Sequence, residues 1–262
     1  MVSVRQQGKA LAIAMVGTPI ALSLGVPAGS FLGAAVGWRS SFLVMSATTI
    51  VLVAWVMWKV PDFAGQPRGE RLSVGHVFRT PGIRPILAWM TAHNILYTYV
   101  APFAARSGLA DRVDLLLLAF GIAALAGIWV TGILVDRMLR ALVLISLTAF
   151  GGVTLLLGVA GDIAPVAVTG IILWGLSFGG AATLLQTASA DAAGDGVDIA
   201  NAMITTVWNT AIAAGGIVGG ILLDRWGAGA FPWTMLVLVG AALALVTVSR
   251  HHGFKPGARA VA

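Results

Sequence analysis

The sequence predicts an all-α integral membrane protein with about eight transmembrane helices, and three observations carry that expectation. The 262-residue chain is 58% hydrophobic and only 10% charged. Soluble domains carry about 25% charged residues, so this chain has too little polar surface to clothe a water-soluble globule. Apolar stretches long enough to cross a bilayer recur about eight times. They are too long for membrane strands, which need about ten residues and alternate in polarity. Helices satisfy each backbone polar group internally, as lipid requires.

The first span, residues 11–36, follows a start too short and too polar for a signal peptide. It reads as a span and not as a cleaved leader. Gly25 and Pro27 lie within it, and Gly29, Gly33 and Gly37 recur at every fourth residue. Pro27 removes a helix hydrogen bond and should bend the helix. The glycine row should offer a neighbour a smooth face. Generic packing and a bent seal against ion leak both remain open. Trp38-Arg39 precedes the second span, residues 41–58. A polar stretch over residues 59–84, punctuated by Pro61, Pro67 and Pro81, is the only candidate linker between domains.

The third span, residues 85–103, carries His93, Asn94, Tyr97 and Tyr99 before Pro102. His93 is the only ionisable residue expected deep inside a span, where such groups mark pathways. It shares a helix face with Tyr97, four residues on. The fourth and fifth spans, residues 115–135 and 141–160, flank a charged dip at Asp136, Arg137 and Arg140. With Gly132 as a close-packing point, Asp136 and Arg137 could latch neighbouring helices; a solvated loop is the plainer reading. Gln186 closes the sixth span, residues 164–185. Asn201 and Asn209 lie on the seventh, residues 200–223, and the eighth is Phe231–Val248. Amides in such places commonly bond between helices. Trp89, Trp129 and Trp174 read as packing or interfacial belt residues.

The net charge is +6 and the isoelectric point near 10.8. Basic residues beside apolar spans record the positive-inside rule, and no basic stripe with interleaved aromatics appears, so no nucleic-acid partner is expected. Twelve of the sixteen Lys and Arg fall on the side of the termini and linker and four on the other. That bias predicts both termini in the cytoplasm. With no cysteine, thiol chemistry is excluded. His-Glu-x-x-His, a phosphate-cradling Gly-Lys-Ser/Thr loop and paired intramembrane carboxylates are all missing from the sequence. The chain is therefore expected to be no enzyme and to use no metal and no cofactor.

Gly132-Ile-Leu-Val-Asp136-Arg137 is echoed by Gly220-Ile-Leu-Leu-Asp224-Arg225. Three expected spans separate the two copies and put them on opposite faces, as an inverted-topology repeat would.

On these motifs the chain resembles the major facilitator superfamily, in its drug:proton antiporter branch of arabinose, sugar and chloramphenicol efflux permeases. Gly25-Val-Pro27-Ala-Gly29 through Gly33 to Gly37-Trp38-Arg39 is similar to the antiporter motif of the fifth helix. Tyr97-Thr-Tyr-Val-Ala-Pro102-Phe103 is similar to the seventh helix, and Gly132-x-x-x-Asp136-Arg137-x-x-Arg140 to the gating motif after the eighth, with Leu139 in place of the usual glycine. Trp174-Gly175, Gln186, Asn209 and Gly219-Gly220 match the tenth and eleventh. The resemblance implies a major-facilitator-like bundle lacking the first four helices. Residues 1–58 would be the last two helices of an N-terminal half, 59–84 a cytoplasmic linker and 85–262 a six-helix C-terminal half. It further implies a multi-pass inner-membrane efflux permease that exchanges a small molecule for protons by alternating access. His93, Asn94, Tyr97, Gln186 and Asn209 would line the substrate cavity. Gly25, Pro27, Gly29, Gly33, Gly37 and Arg39 would seal and hinge, and Gly132, Asp136 and Arg137 would gate. The expected partners are a small-molecule substrate, protons, the lipid bilayer and the missing N-terminal half. The alternative is a partial, non-transporting membrane protein or partner subunit derived from such a transporter.

Overall fold

The computed structural model describes residues 21–61, 83–193 and 197–248. The expected cytoplasmic opening at 1–10, the part of the expected first span over 11–20, most of the expected linker (62–82), the basic tail and the side chain of Asn201 lie outside the described residues.

A π-helical turn, Ala21–Gly25, leads into α1 (Val26–Val36). Pro27 is buried in the first turn of α1. It has no N–H to return to the preceding turn, and the ladder changes from π to α at that point. Gly37 alone separates α1 from α2 (Trp38–Lys59). Its φ of 98° lies in the region that only glycine enters freely, so the helix stops and restarts within one residue. The Ser41 hydroxyl of α2 donates to the Gly29 carbonyl of α1 at 2.8 Å. None of the α2 side chains is buried. Its Thr48 and Thr49 hydroxyls donate to carbonyls of their own helix, so a surface facing lipid leaves neither unsatisfied.

Helix α3 (Ile83–Thr98) breaks at Tyr99, and α4 (Val100–Ala105) continues beyond it. Pro102 is the cause: it cannot donate to the Thr98 carbonyl four residues back, and its ring crowds that carbonyl. A 3₁₀ turn, Ala110–Arg112, starts α5 (Val113–Ala160). Helices α6 (Ala164–Gly179) and α7 (Ala181–Ala193) meet at Gly180. Then follow α8 (Val197–Trp226), a 3₁₀ turn at Ala228–Ala230, and α9 (Phe231–Val248).

Helix α5 has 48 residues, about 72 Å if straight, against a hydrocarbon core of about 30 Å. It is not straight. Met138 leaves helical geometry at φ −148° and ψ 43°. The contacts give the arms their directions. Gly175 meets Phe120 and Gly179 meets Ala124, so the first arm runs parallel to α6. Gly170 meets Leu157, just across the short connection, so the second arm runs antiparallel to α6. The two arms therefore run against each other, and Met138 marks the reversal. The core lies between these arms and α3, α6, α7, α8 and α9, around Trp89, Trp174, Phe103, Phe150 and Phe231.

The expected number of spans is corrected here. Among the described residues five helices, not about eight, are long and apolar enough to cross a membrane. The expected first span is described only from residue 21, where α1 adds 11 residues after the π turn, and the expected third is divided at Tyr99, α3 having 16 residues before its break. The expected fourth and fifth spans are the two arms of the single element α5, joined at Met138 without a loop between them. The polar dip at Asp136–Arg140 coincides with that reversal, which takes one non-helical residue.

Candidate functional site

Trp89, His93 and Tyr97 follow one another at four-residue steps on α3, so they form a ladder on one face. Trp174 and Phe178 repeat the same step on α6. The two ladders interleave. The His93 imidazole lies flat on the Phe178 ring, centroids 3.6 Å apart and planes 4° from parallel. Tyr97 stands 5.2 Å from His93 on one side, and Trp174 5.3 Å away. Phe120 of α5 closes the group, 4.4 Å from Trp174 and 6.0 Å from His93. Trp89 meets Phe178 edge-on at 6.0 Å. Such pairs add about 0.5–1.5 kcal/mol each beyond burial.

Close backbone approach makes the cluster possible. Gly175 and Gly179 of α6 lie directly against the Phe120 and Ala124 carbonyls of α5, and Gly127 of α5 against the Leu176 carbonyl. A Cβ at any of these positions would collide with main chain. These glycines were not singled out as packing points from the sequence. Gly132 was, and nothing lies within 4 Å of the Cβ position there. Trp89 and Trp174, expected as packing or belt residues, are fully buried in the cluster, whereas Trp129 is 70% exposed.

Of the five expected cavity residues, His93 and Tyr97 come together, with their side chains half-buried. Asn94 is buried on the adjoining face, against Gly215 of α8, and its amide donates to the Met90 carbonyl of its own helix. Gln186 is half-buried on α7. Asn209 is exposed on α8 and donates to Thr205 one turn back. The chemistry on offer is aromatic and hydrogen-bonding. The cluster holds no acid–base pair with which to activate a nucleophile.

Asp136 and Arg137 are exposed beside the α5 reversal. The next basic residue of that motif, Arg140, reaches α9: its guanidinium donates to the Val246 carbonyl at 3.1 Å and the Thr247 carbonyl at 3.2 Å. Carbonyls in a last helical turn lack intrahelical donors, and a cation there also suits the helix dipole. At the other end of the bundle Arg106 pairs with Asp162 at 2.5 Å and lies over the Phe103 ring. In α1, Gly33 faces the Ser41 hydroxyl, while Gly25 and Gly29 have no neighbour within 4 Å of a Cβ position. Arg39 is exposed and stacks on Trp38.

Residues 1–215 match the family profile described as Major Facilitator Superfamily. Two curated relatives from Helicobacter pylori, strain G27 and strain ATCC 700392 / 26695, are each named "Probable sugar efflux transporter". Each is 28% identical to this chain over 247 residues, which cover 92% of this chain and 62% of the relative. The chain thus spans 62% of the length of these relatives.

Proposed function

This chain belongs to the Major Facilitator Superfamily, and we propose that it works as a secondary active efflux permease of the inner membrane. As a family member it is a multi-pass membrane protein of a transport family, and not an enzyme. In our reading it exports a small molecule in exchange for entering protons, by alternating access about a midplane site. Its similarity to the two sugar efflux relatives supports a sugar as cargo. The excess of Lys and Arg at the termini and linker supports a cytoplasmic position for both ends.

The observation that carries this reading is His93, an ionisable side chain set among aromatic rings between α3, α5 and α6. Polar and ionisable groups inside a membrane bundle are costly and mark substrate or proton routes. His93 and Tyr97 would contact cargo, with Asn94, Gln186 and Asn209 on the surfaces that complete the cavity. Pro27 and Gly29, Gly33 and Gly37 would seal and hinge, and Asp136 and Arg137 would hold the cytoplasmic side shut. The test is uptake of radiolabelled methyl glucoside into energised everted vesicles carrying the chain. Uptake above vesicles without it, lost on adding a protonophore and reduced in His93→Ala, is expected. No uptake above the control would sink the reading.

The bare surface of α2 favours a second reading, a partner subunit or partial, non-transporting protein. In that case uptake would require co-expression of further helices, or would not occur at all.

A further inference from the structure

Four buried polar atoms in the aromatic cluster have no hydrogen-bond partner among the described residues: Trp89 Nε1, His93 Nδ1, Tyr97 Oη and Trp174 Nε1. Buried indole N–H and phenol O–H groups ordinarily find partners. Here the four sit on rings of one contact network, within three helical turns of α3 and one of α6. Trp89 and Trp174 are 1% and 0% exposed, so solvent at the protein surface does not serve them. The His93 and Tyr97 rings are half-buried and form the open edge of the network.

We propose that Trp89 and Trp174 are ligand-contacting residues whose indole N–H groups, with the Tyr97 hydroxyl, hold oxygen atoms of a neutral, hydroxylated ligand. Three of the four groups donate, so the ligand must accept. Trp89, Phe120, Phe150, Trp174 and Phe178 carry no charge, so the ligand needs none. The rings cover one another's faces, His93 on Phe178 at 3.6 Å and Phe120 against Trp174 at 4.4 Å, so the ligand enters from the His93–Tyr97 edge. A lipophilic cation would also stack on such rings, but it would leave each of these donors unmet. The inference rests on the transport reading for its physiological role, and on the cluster alone for binding.

The test uses the full chain in lipid nanodiscs with ¹⁵N-labelled indoles. The chain has nine tryptophans, and the signals missing in Trp89→Phe and Trp174→Phe assign the two of interest. Methyl glucoside and methyl galactoside should move both signals saturably. Each Phe variant, which keeps a ring but loses the donor, should weaken glucoside binding about tenfold. Signals unmoved by either sugar, or moved only by tetraphenylphosphonium, would overturn the proposal, as would wild-type glucoside affinity in both variants. The wild-type titration decides even where a variant fails to fold. Moved signals without vesicle uptake would remove the transport reading and leave the binding site. Uptake with unmoved signals would do the reverse.

Discussion

The Tyr99 hydroxyl donates to the Gly216 carbonyl oxygen of α8 at 2.8 Å, from the one residue where α3 breaks. The Tyr99 ring lies over Gly219 and Gly220, where a Cβ would come within 2.5 Å of the ring at Gly219 and 2.9 Å of the hydroxyl at Gly220. A helix break is thus pinned by a side chain whose groove exists only because two glycines are bare.

That pin predicts a graded response. Tyr99→Phe keeps the ring and loses one hydrogen bond, so it should cost about 1 kcal/mol. Gly219→Ala pushes a methyl into the ring and should cost about 1–3 kcal/mol. Thermal unfolding in detergent, followed by size-exclusion elution, would rank them. A wild-type midpoint in Gly219→Ala would refute the groove.

The α5–α6 contact predicts which glycines matter. Gly179→Ala should destabilise by about 1–3 kcal/mol, because its methyl meets the Ala124 main chain, which cannot swing aside. Gly132→Ala, with open space around it, should leave stability unchanged or raise it by up to about 1 kcal/mol through helix propensity. A reversed order in the same unfolding assay would contradict the packing described.

Gly37 should tolerate no side chain. Its positive φ costs an alanine about 1–3 kcal/mol, although nothing lies near enough to clash. Gly37→Asn should fare no better than Ala, since at ψ 147° the residue lies outside the left-handed helical region that asparagine tolerates. Protease sensitivity of the α1–α2 hairpin is the readout. Identical cleavage in Gly37→Ala and wild type would discard the strain argument.

Arg140 should protect the end of α9. Replacement by Ala removes two charge-assisted bonds to the last-turn carbonyls, and Lys cannot reproduce the forked geometry. The expected loss is about 1.5–3 kcal/mol, toward the low end because the site is half exposed. Hydrogen exchange should rise at residues 244–248 and not in α6. Unchanged exchange at 244–248 would remove this role.

The membrane class and the helical content were legible in the sequence, because lipid demands long apolar helices and hydropathy is a local sum. The face shared by His93 and Tyr97 was legible too, since a four-residue step repeats on any α-helix. The motifs around Gly132 and Gly220 read alike, yet Gly132 stands in open space and Gly220 holds Tyr99. Span number and packing partners were decided by tertiary structure alone. Hydropathy registers the charged dip at Asp136–Arg140 but not that the chain reverses there within one residue, Met138. It registers glycine but not which neighbour lies a carbonyl's width away. Those are long-range contacts, set by how α3, α5, α6 and α8 settle against one another, and no local window contains them.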